Sequence, residues 1–105
     1  VTNDQLKLAQ GRPGNFTIEV IEQGNAIGAD SELLVNENGI YIAYHDGYNN
    51  DIKMAAFNDG AWNISTLGGT ETALGFHNEL IDIDGTIFTA CYNFTDNNVW
   101  FEQLP

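Results

Sequence analysis

Apolar and polar residues alternate along this chain in short runs, with no stretch at the 3.6-residue spacing of an amphipathic helix. The runs are rich in Ile, Val, Phe, Tyr and Thr, and Gly, Asn and Asp bound them, as they bound strands. The pattern predicts nine strands: Gln5–Ala9, Phe16–Ile21, Glu32–Asn36, Ile40–Asp46, Ile52–Asn58, Trp62–Leu67, Glu79–Ile83, Thr86–Tyr92 and Val99–Leu104. Asn38-Gly39 and Asp84-Gly85 are expected as central pairs of hairpin turns that need positive φ. Ile40-Tyr41-Ile42-Ala43-Tyr44 is apolar at every position. Such a strand needs cover on both faces, so it belongs in a stacked sheet.

The strand pattern repeats. At an offset of 47, Ala26 falls on Ala73, Gly28 on Gly75, Glu32-Leu33 on Glu79-Leu80, Ile40 on Ile87, Ala43 on Ala90 and Asn50 on Asn97. At an offset of 46, Leu6-Lys7 falls on Ile52-Lys53, Ala9 on Ala55, Gly14 on Gly60, Phe16 on Trp62 and Ile18 on Ile64. A period of this length built from short strands predicts an all-β chain of β-propeller blades. The reading is one domain, residues 1–105, of two repeats at about 15–61 and 62–105, with 1–14 a partial repeat.

The run from Ser31 to Asp46, followed by Asp51-Ile52-Lys53-Met54-Ala55 and Asp59-Gly60-Ala61-Trp62, resembles a sialidase-like, Asp-box type propeller blade. Asn58-Asp59-Gly60-Ala61-Trp62 is a shortened Asp box, without the leading Ser and one spacer. Its counterpart, Gly11-Arg12-Pro13-Gly14-Asn15-Phe16, lacks the Asp. The resemblance implies four strands per blade, numbered outward from the axis. The chain then reads third-fourth, first-second-third-fourth, first-second-third. The last blade lacks its outer strand, and the opening strands of another copy are expected to supply it. A homotrimer or homotetramer would then close the ring, with one third-type strand, Gln5–Ala9 or Val99–Leu104, in surplus. A fragment of a longer propeller would meet the same need.

Ligands of propellers usually meet the loops that join fourth to first and second to third strands. Here these are Glu22–Asp30, Gly68–His77, Gly47–Asn50 and Asn93–Asn98. They carry Tyr48, Phe76 and Phe94 beside Asp46, Asn49, His77, Asn93 and Asp96; Trp100 lies on the following strand. An aromatic face stacks on the C–H face of a sugar, and Asn, Asp and His bond its hydroxyls. The same residue types also populate any turn, because they accept left-handed φ and bond their own backbone. The expected ligand is therefore a glycan, bound without catalysis by a lectin of oligomeric propeller form. The alternative is a protein-interaction scaffold, or a fragment of a larger secreted propeller, with no sugar site.

Charge narrows the partners. Fifteen acidic residues face three basic ones, for a net charge of −12. Nucleic acid and anionic membranes are excluded as partners, since both are held through Lys and Arg. Sialidase chemistry would need an arginine triad, and the chain has only Arg12. No catalytic residue, metal site or cofactor is assigned. His45 and His77 have no second ligand at metal spacing, and Asp82-x-Asp84-Gly85 reads as a hairpin rather than a calcium loop. Cys91 sits in an apolar run and reads as a buried structural thiol. Sequons at Asn15, Asn63 and Asn93 point to secretion, and Val1 in place of Met points to processing or to a chain cut from something larger.

Overall fold

The structure is a computed structural model that describes residues 4–69 and 71–104. Val1 and the start of the partial repeat lie outside the described residues. All nine expected strands form, and there is no helix among the described residues. They are β1 (Asp4–Arg12), β2 (Asn15–Gly24), β3 (Ile27–Asn36), β4 (Gly39–Asp46), β5 (Asp51–Asn58), β6 (Ala61–Leu67), β7 (Phe76–Ile83), β8 (Thr86–Asn93) and β9 (Asn98–Gln103). They pair in chain order into three antiparallel sheets: β1-β2, β3-β4-β5-β6 and β7-β8-β9. The molecule is all-β.

Two turns match their residues closely. Asp59-Gly60 and Asp84-Gly85 each have positive φ at both positions and join paired residues, as two-residue hairpin loops of type I′ require. Asn58-Asp59-Gly60-Ala61, the run that resembles a shortened Asp box, is thus a tight hairpin. The Asn38-Gly39 expectation needs correcting. Asn36 pairs with Gly39, so the central residues are Glu37 and Asn38, and Gly39 opens β4. The Asn36 side chain accepts the N–H groups of Asn38 and Gly39 at 2.8 and 3.2 Å, which holds the turn without positive φ at its centre. Glycine is needed at 39 for a different reason. A Cβ there would lie 2.2 Å from the Phe57 carbonyl oxygen.

Strands β3 and β7 begin earlier than the alternation predicted. Ile27–Asp30 and Phe76–His77, expected as loops, are strand. Both segments contain a shift of pairing register, and Asp30 and His77 sit there at φ 51° and 55°. The same bulge is therefore built twice, 47 residues apart. An irregular residue breaks the period-2 signal, so the pattern stops short of the strand's true start.

The sheets stack through two apolar layers. Ala43, Ile52, Met54 and Leu67 of the second sheet meet Leu80, Ile87 and Cys91 of the third, with Leu74 from the connection. On the opposite face of the second sheet, Ile42, Tyr44 and Ala55 meet Leu6 of the first sheet, flanked by Ile21, Ile40 and Trp62. Strand β4 sends alternate side chains into the two layers, which accounts for its continuous apolar run.

One polar network ties the first sheet to the second. The buried Tyr44 hydroxyl donates to Glu22 Oε1 at 2.7 Å, and Lys53 Nζ meets Glu22 Oε2 at 2.5 Å. Burial, then the Glu22 carboxylate, push the Tyr44 phenol far above its ordinary value, so it stays a donor at every accessible pH. Trp62 Nε1 donates to Glu19 Oε2 at 3.1 Å and repeats the tie further along. Tyr44→Phe is expected to cost about 1.5–3 kcal/mol, the worth of a hydrogen bond to a charged group, in urea denaturation. An unchanged midpoint would show that Glu22 is satisfied by Lys53 and water alone.

Candidate functional site

The four connections expected to carry a site gather at one end of the sheets, and backbone hydrogen bonds hold them together. Gly47 N–H donates to Ala26 O at 2.8 Å, and Phe94 N–H donates to Ala73 O at 2.9 Å, the equivalent bond 47 residues on. Leu74 N–H donates to Asn50 O at 3.0 Å, and Ala73 N–H donates to Thr95 Oγ1 at 2.8 Å. Residue 70, in the same connection, is outside the described residues.

The β4–β5 and β8–β9 turns are built alike. Asp46 Oδ1 accepts the N–H groups of Tyr48 and Asn49 at 3.0 and 3.2 Å, and its Oδ2 accepts Asn49 Nδ2 at 2.9 Å. In the later turn Asn93 Oδ1 accepts the Asp96 N–H at 3.1 Å, and Asn93 Nδ2 donates to Asp96 Oδ2 at 3.1 Å. Asn50 and Asn97 close the two turns at φ 58° and 60°. The amide and the carboxylate have changed places between the copies, and the clasp survives. Asp46 and Asn93 are buried, so these groups shape the turns first. Of the three sequon asparagines, Asn93 is buried with its amide in the clasp, whereas Asn15 and Asn63 are exposed.

Aromatic rings converge beside the turns. His45 and Phe76 pack at a tilt of 39° with centroids 4.3 Å apart, Phe76 meets Phe94 at 5.7 Å, and Phe94 meets Tyr92 at 5.9 Å. His45 Nδ1 lies 3.0 Å from Leu74 O, which fixes its ring. Phe94 and Tyr48 project into solvent. Sequence reasoning missed His45 and Tyr92 as members of this row. Their signal was position: each is the last residue but one of the second strand in its sheet, at equivalent places in the two repeats.

His77 and Trp100 stand apart from the row. The His77 N–H donates to Asp30 Oδ2 at 3.3 Å, joining the two bulges across neighbouring sheets, and Asn78 Nδ2 bonds Asp30 O and Gly75 O. The His77 side chain lines an open hollow of about 240 Å³ with Glu79, Ala90, Cys91, Tyr92 and Val99. Trp100 packs on the core between the second and third sheets, where a Cβ at Gly68 would lie 3.2 Å from its ring. Cys91 is buried, its Sγ accepts the Gly75 N–H at 3.3 Å, and burial pushes its thiol up.

Asp46 and Asp51 face each other across β4 and β5, both buried. Burial pushes both carboxyls up. In Asp46 it is outweighed by the bonds from Asn49 and Tyr48 and by the Lys53 charge, and the group titrates below its ordinary value. Asp51 is raised, by burial first and then by the Asp46 charge, and its Oδ1 has no hydrogen-bond partner. No trio of His, Cys, Asp or Glu is placed to hold a metal ion among the described residues.

Compared with protein-family models, with curated proteins and with solved structures, the chain gives no match.

The Asp51 carboxylate is ionised at a cost in the folded state, because its folded pKa lies above the unfolded value of about 3.8. That cost is present above the folded pKa and vanishes as pH falls below the unfolded one. Asp51→Asn is therefore expected to raise the urea midpoint near neutral pH, with the gain fading as pH falls towards and below 3.8. A gain that persists undiminished in acid, or a loss at neutral pH, would contradict this account of the site.

Proposed function

We propose that this protein is a non-catalytic carbohydrate-binding protein, a lectin, whose sheets are blades of a β-propeller completed by further copies in a homo-oligomer. The observation that carries the reading is the repeated turn. Two clasped loops of one design lie at the same end of neighbouring sheets, with the row His45–Phe76–Phe94–Tyr92 beside them. A rigid loop framework with an exposed ring is what a sugar needs. The C–H face stacks on Phe94 or Tyr48, and the lone pairs of the exposed Asp96 carboxylate not used in its clasp accept its hydroxyls.

Binding rather than hydrolysis is supported by the placement of the carboxylates. Asp46 and Asp51 stand on paired positions of adjacent strands, not on opposite sides of a cleft as glycoside hydrolysis demands. Arg12, the one arginine, precedes the β1–β2 turn, whereas the clasped loops join β4 to β5 and β8 to β9. Each sugar site is small and weak, and copies presented together on a glycan surface gain avidity. The exposed sequons at Asn15 and Asn63 fit secretion. A protein-interaction scaffold is the second reading, favoured by the apolar outer faces of the first and third sheets.

A glycan array probed with the purified chain is expected to give discrete hits. Phe94→Ala should weaken the best hit about tenfold, the equivalent of 1.4 kcal/mol, with an unchanged circular dichroism spectrum. An array that stays blank at high protein concentration removes the lectin reading.

A further inference from the structure

We infer that the outer face of the third sheet docks on the outer face of the first sheet of a second copy, head to tail. The inference stands apart from any sugar. It rests on a junction that the chain already makes within itself.

Self-superposition of the sequence sets buried residues against exposed ones. Ile52 falls on Val99, and Met54 falls on Phe101. Ile52 and Met54 are 0% and 3% exposed, because the third sheet covers them; Val99 and Phe101 are 72% and 62% exposed. The two exposed side chains share a face with Phe88, Ala90 and Tyr92, as their pairing with Ala90 and Tyr92 requires. Phe88 and Phe101 stack there at 5.4 Å and 13°. Leu80, Ile87 and Cys91 point the other way, into the core. The third sheet thus carries the apolar face that the second sheet buries, and nothing among the described residues lies over it.

The first sheet carries the complementary half. Leu6 turns inward onto the second sheet, while Ala9, Phe16, Ile18 and Val20 share the outward face through the pairs Ala9–Ile18 and Gly11–Phe16. Phe16, Ile18 and Val20 are exposed. Ala9 and Phe16 are the counterparts of Ala55 and Trp62, with which the second sheet packs on the first around Leu6. Leu6 in turn is the counterpart of Ile52, and so of Val99. Transposed along the repeat, Ala9 and Phe16 of a second copy rest on Val99 and Phe101 as Ala55 and Trp62 rest beside Leu6.

Charge agrees with this pairing. The chain carries −12, which opposes self-association in general. Residues 4–24, however, hold two of its three basic residues, Lys7 and Arg12, against three acids. Lys7 pairs with Val20 on the outward face of the first sheet, and Glu79 pairs with Ala90 on the outward face of the third. The least acidic surface therefore meets an acidic one.

Face stacking also removes the surplus strand. Both third-type strands, β1 and β9, are formed and hydrogen-bonded in one chain. Exchange of an outer strand would put two of them in one place and expel one. Stacking leaves each where it is. The junction is heterologous, so every copy offers one face of each kind.

Light scattering of the full chain across a concentration series, up to roughly millimolar, tests the inference. Wild type is expected to exceed the monomer mass increasingly with concentration. Phe16→Asp and Val99→Asp replace exposed side chains on the two opposite faces. Each is expected to keep its circular dichroism and thermal midpoint and to weaken self-association at least about tenfold. An equimolar mixture of the two should restore a dimer, because each variant contributes its intact face to one good junction. Phe101→Asp replaces Val99→Asp if that variant loses its fold. A wild type that remains monomeric, variants that associate like wild type, or a mixture that stays monomeric would each overturn the proposal.

Discussion

The structure depends on one constraint: a sheet that is apolar on both faces must be covered twice. Strand β4 imposes it, because Ile40, Ile42 and Tyr44 point one way and Tyr41 and Ala43 the other. Neither face can be left to water without exposing a row of large side chains. The hairpin β1-β2 takes one face and the sheet β7-β8-β9 takes the other. That sandwiching also decides where polar groups go. Glu22, Tyr44 and Lys53 meet at the margin of one layer, where the hydroxyl and the ammonium can both be satisfied by one carboxylate. The loops that join the sheets are then forced to one end, since each strand must reverse before the next can pair.

Strand identity and order were legible from the sequence because alternation and turn residues agree. Asp59-Gly60 and Asp84-Gly85 sit between apolar runs and make the loops their chemistry favours. The starts of β3 and β7 were not legible. Gly28 and Gly75 have φ 102° and 93°, and the residues after them bulge, so Ile27–Asp30 and Phe76–His77 carry the composition of loops while pairing as strands. Gly75 shows what composition hides. A Cβ there would lie 2.7 Å from Asp51 O and 2.8 Å from His45 Nδ1, so the glycine permits the loop to press against the buried end of β4 and β5. No pattern of hydrophobicity encodes that approach.

The candidate site was half legible, for a related reason. Residue types pointed to four loops, and the structure gathers their aromatic and amide-bearing residues at one end. Partnership could not be read. Asp46 pairs with Asn49 and Asn93 with Asp96 through side-chain contacts three residues apart, which sequence offers only as one option among many. Trp100 shows the opposite limit. A tryptophan on an edge strand reads equally as ligand platform or packing, and only the proximity of Gly68 and the core puts its ring inside.

The exchange of amide and carboxylate between the two turns separates what is structural from what is free to bind. A clasp needs one donor and one acceptor, three residues apart; it does not matter which end supplies which. Asp46 with Asn49 and Asn93 with Asp96 satisfy this in opposite senses. The clasp is thus common to the repeat, although Asp46 accepts three hydrogen bonds in its turn and the Asn93–Asp96 pair makes two. The aromatic residues follow no such rule. Gly47 occupies the place of Phe94, and His45 that of Tyr92, yet His45 and Tyr92 still end in one row because Phe76 and Phe94 bridge them. Features the repeat holds fixed build the loop, and features it lets vary give each loop its own surface. What the clasps leave unused at this end of the molecule is therefore the rings and the exposed side of the Asp96 carboxylate, rather than the amides that the turns already use.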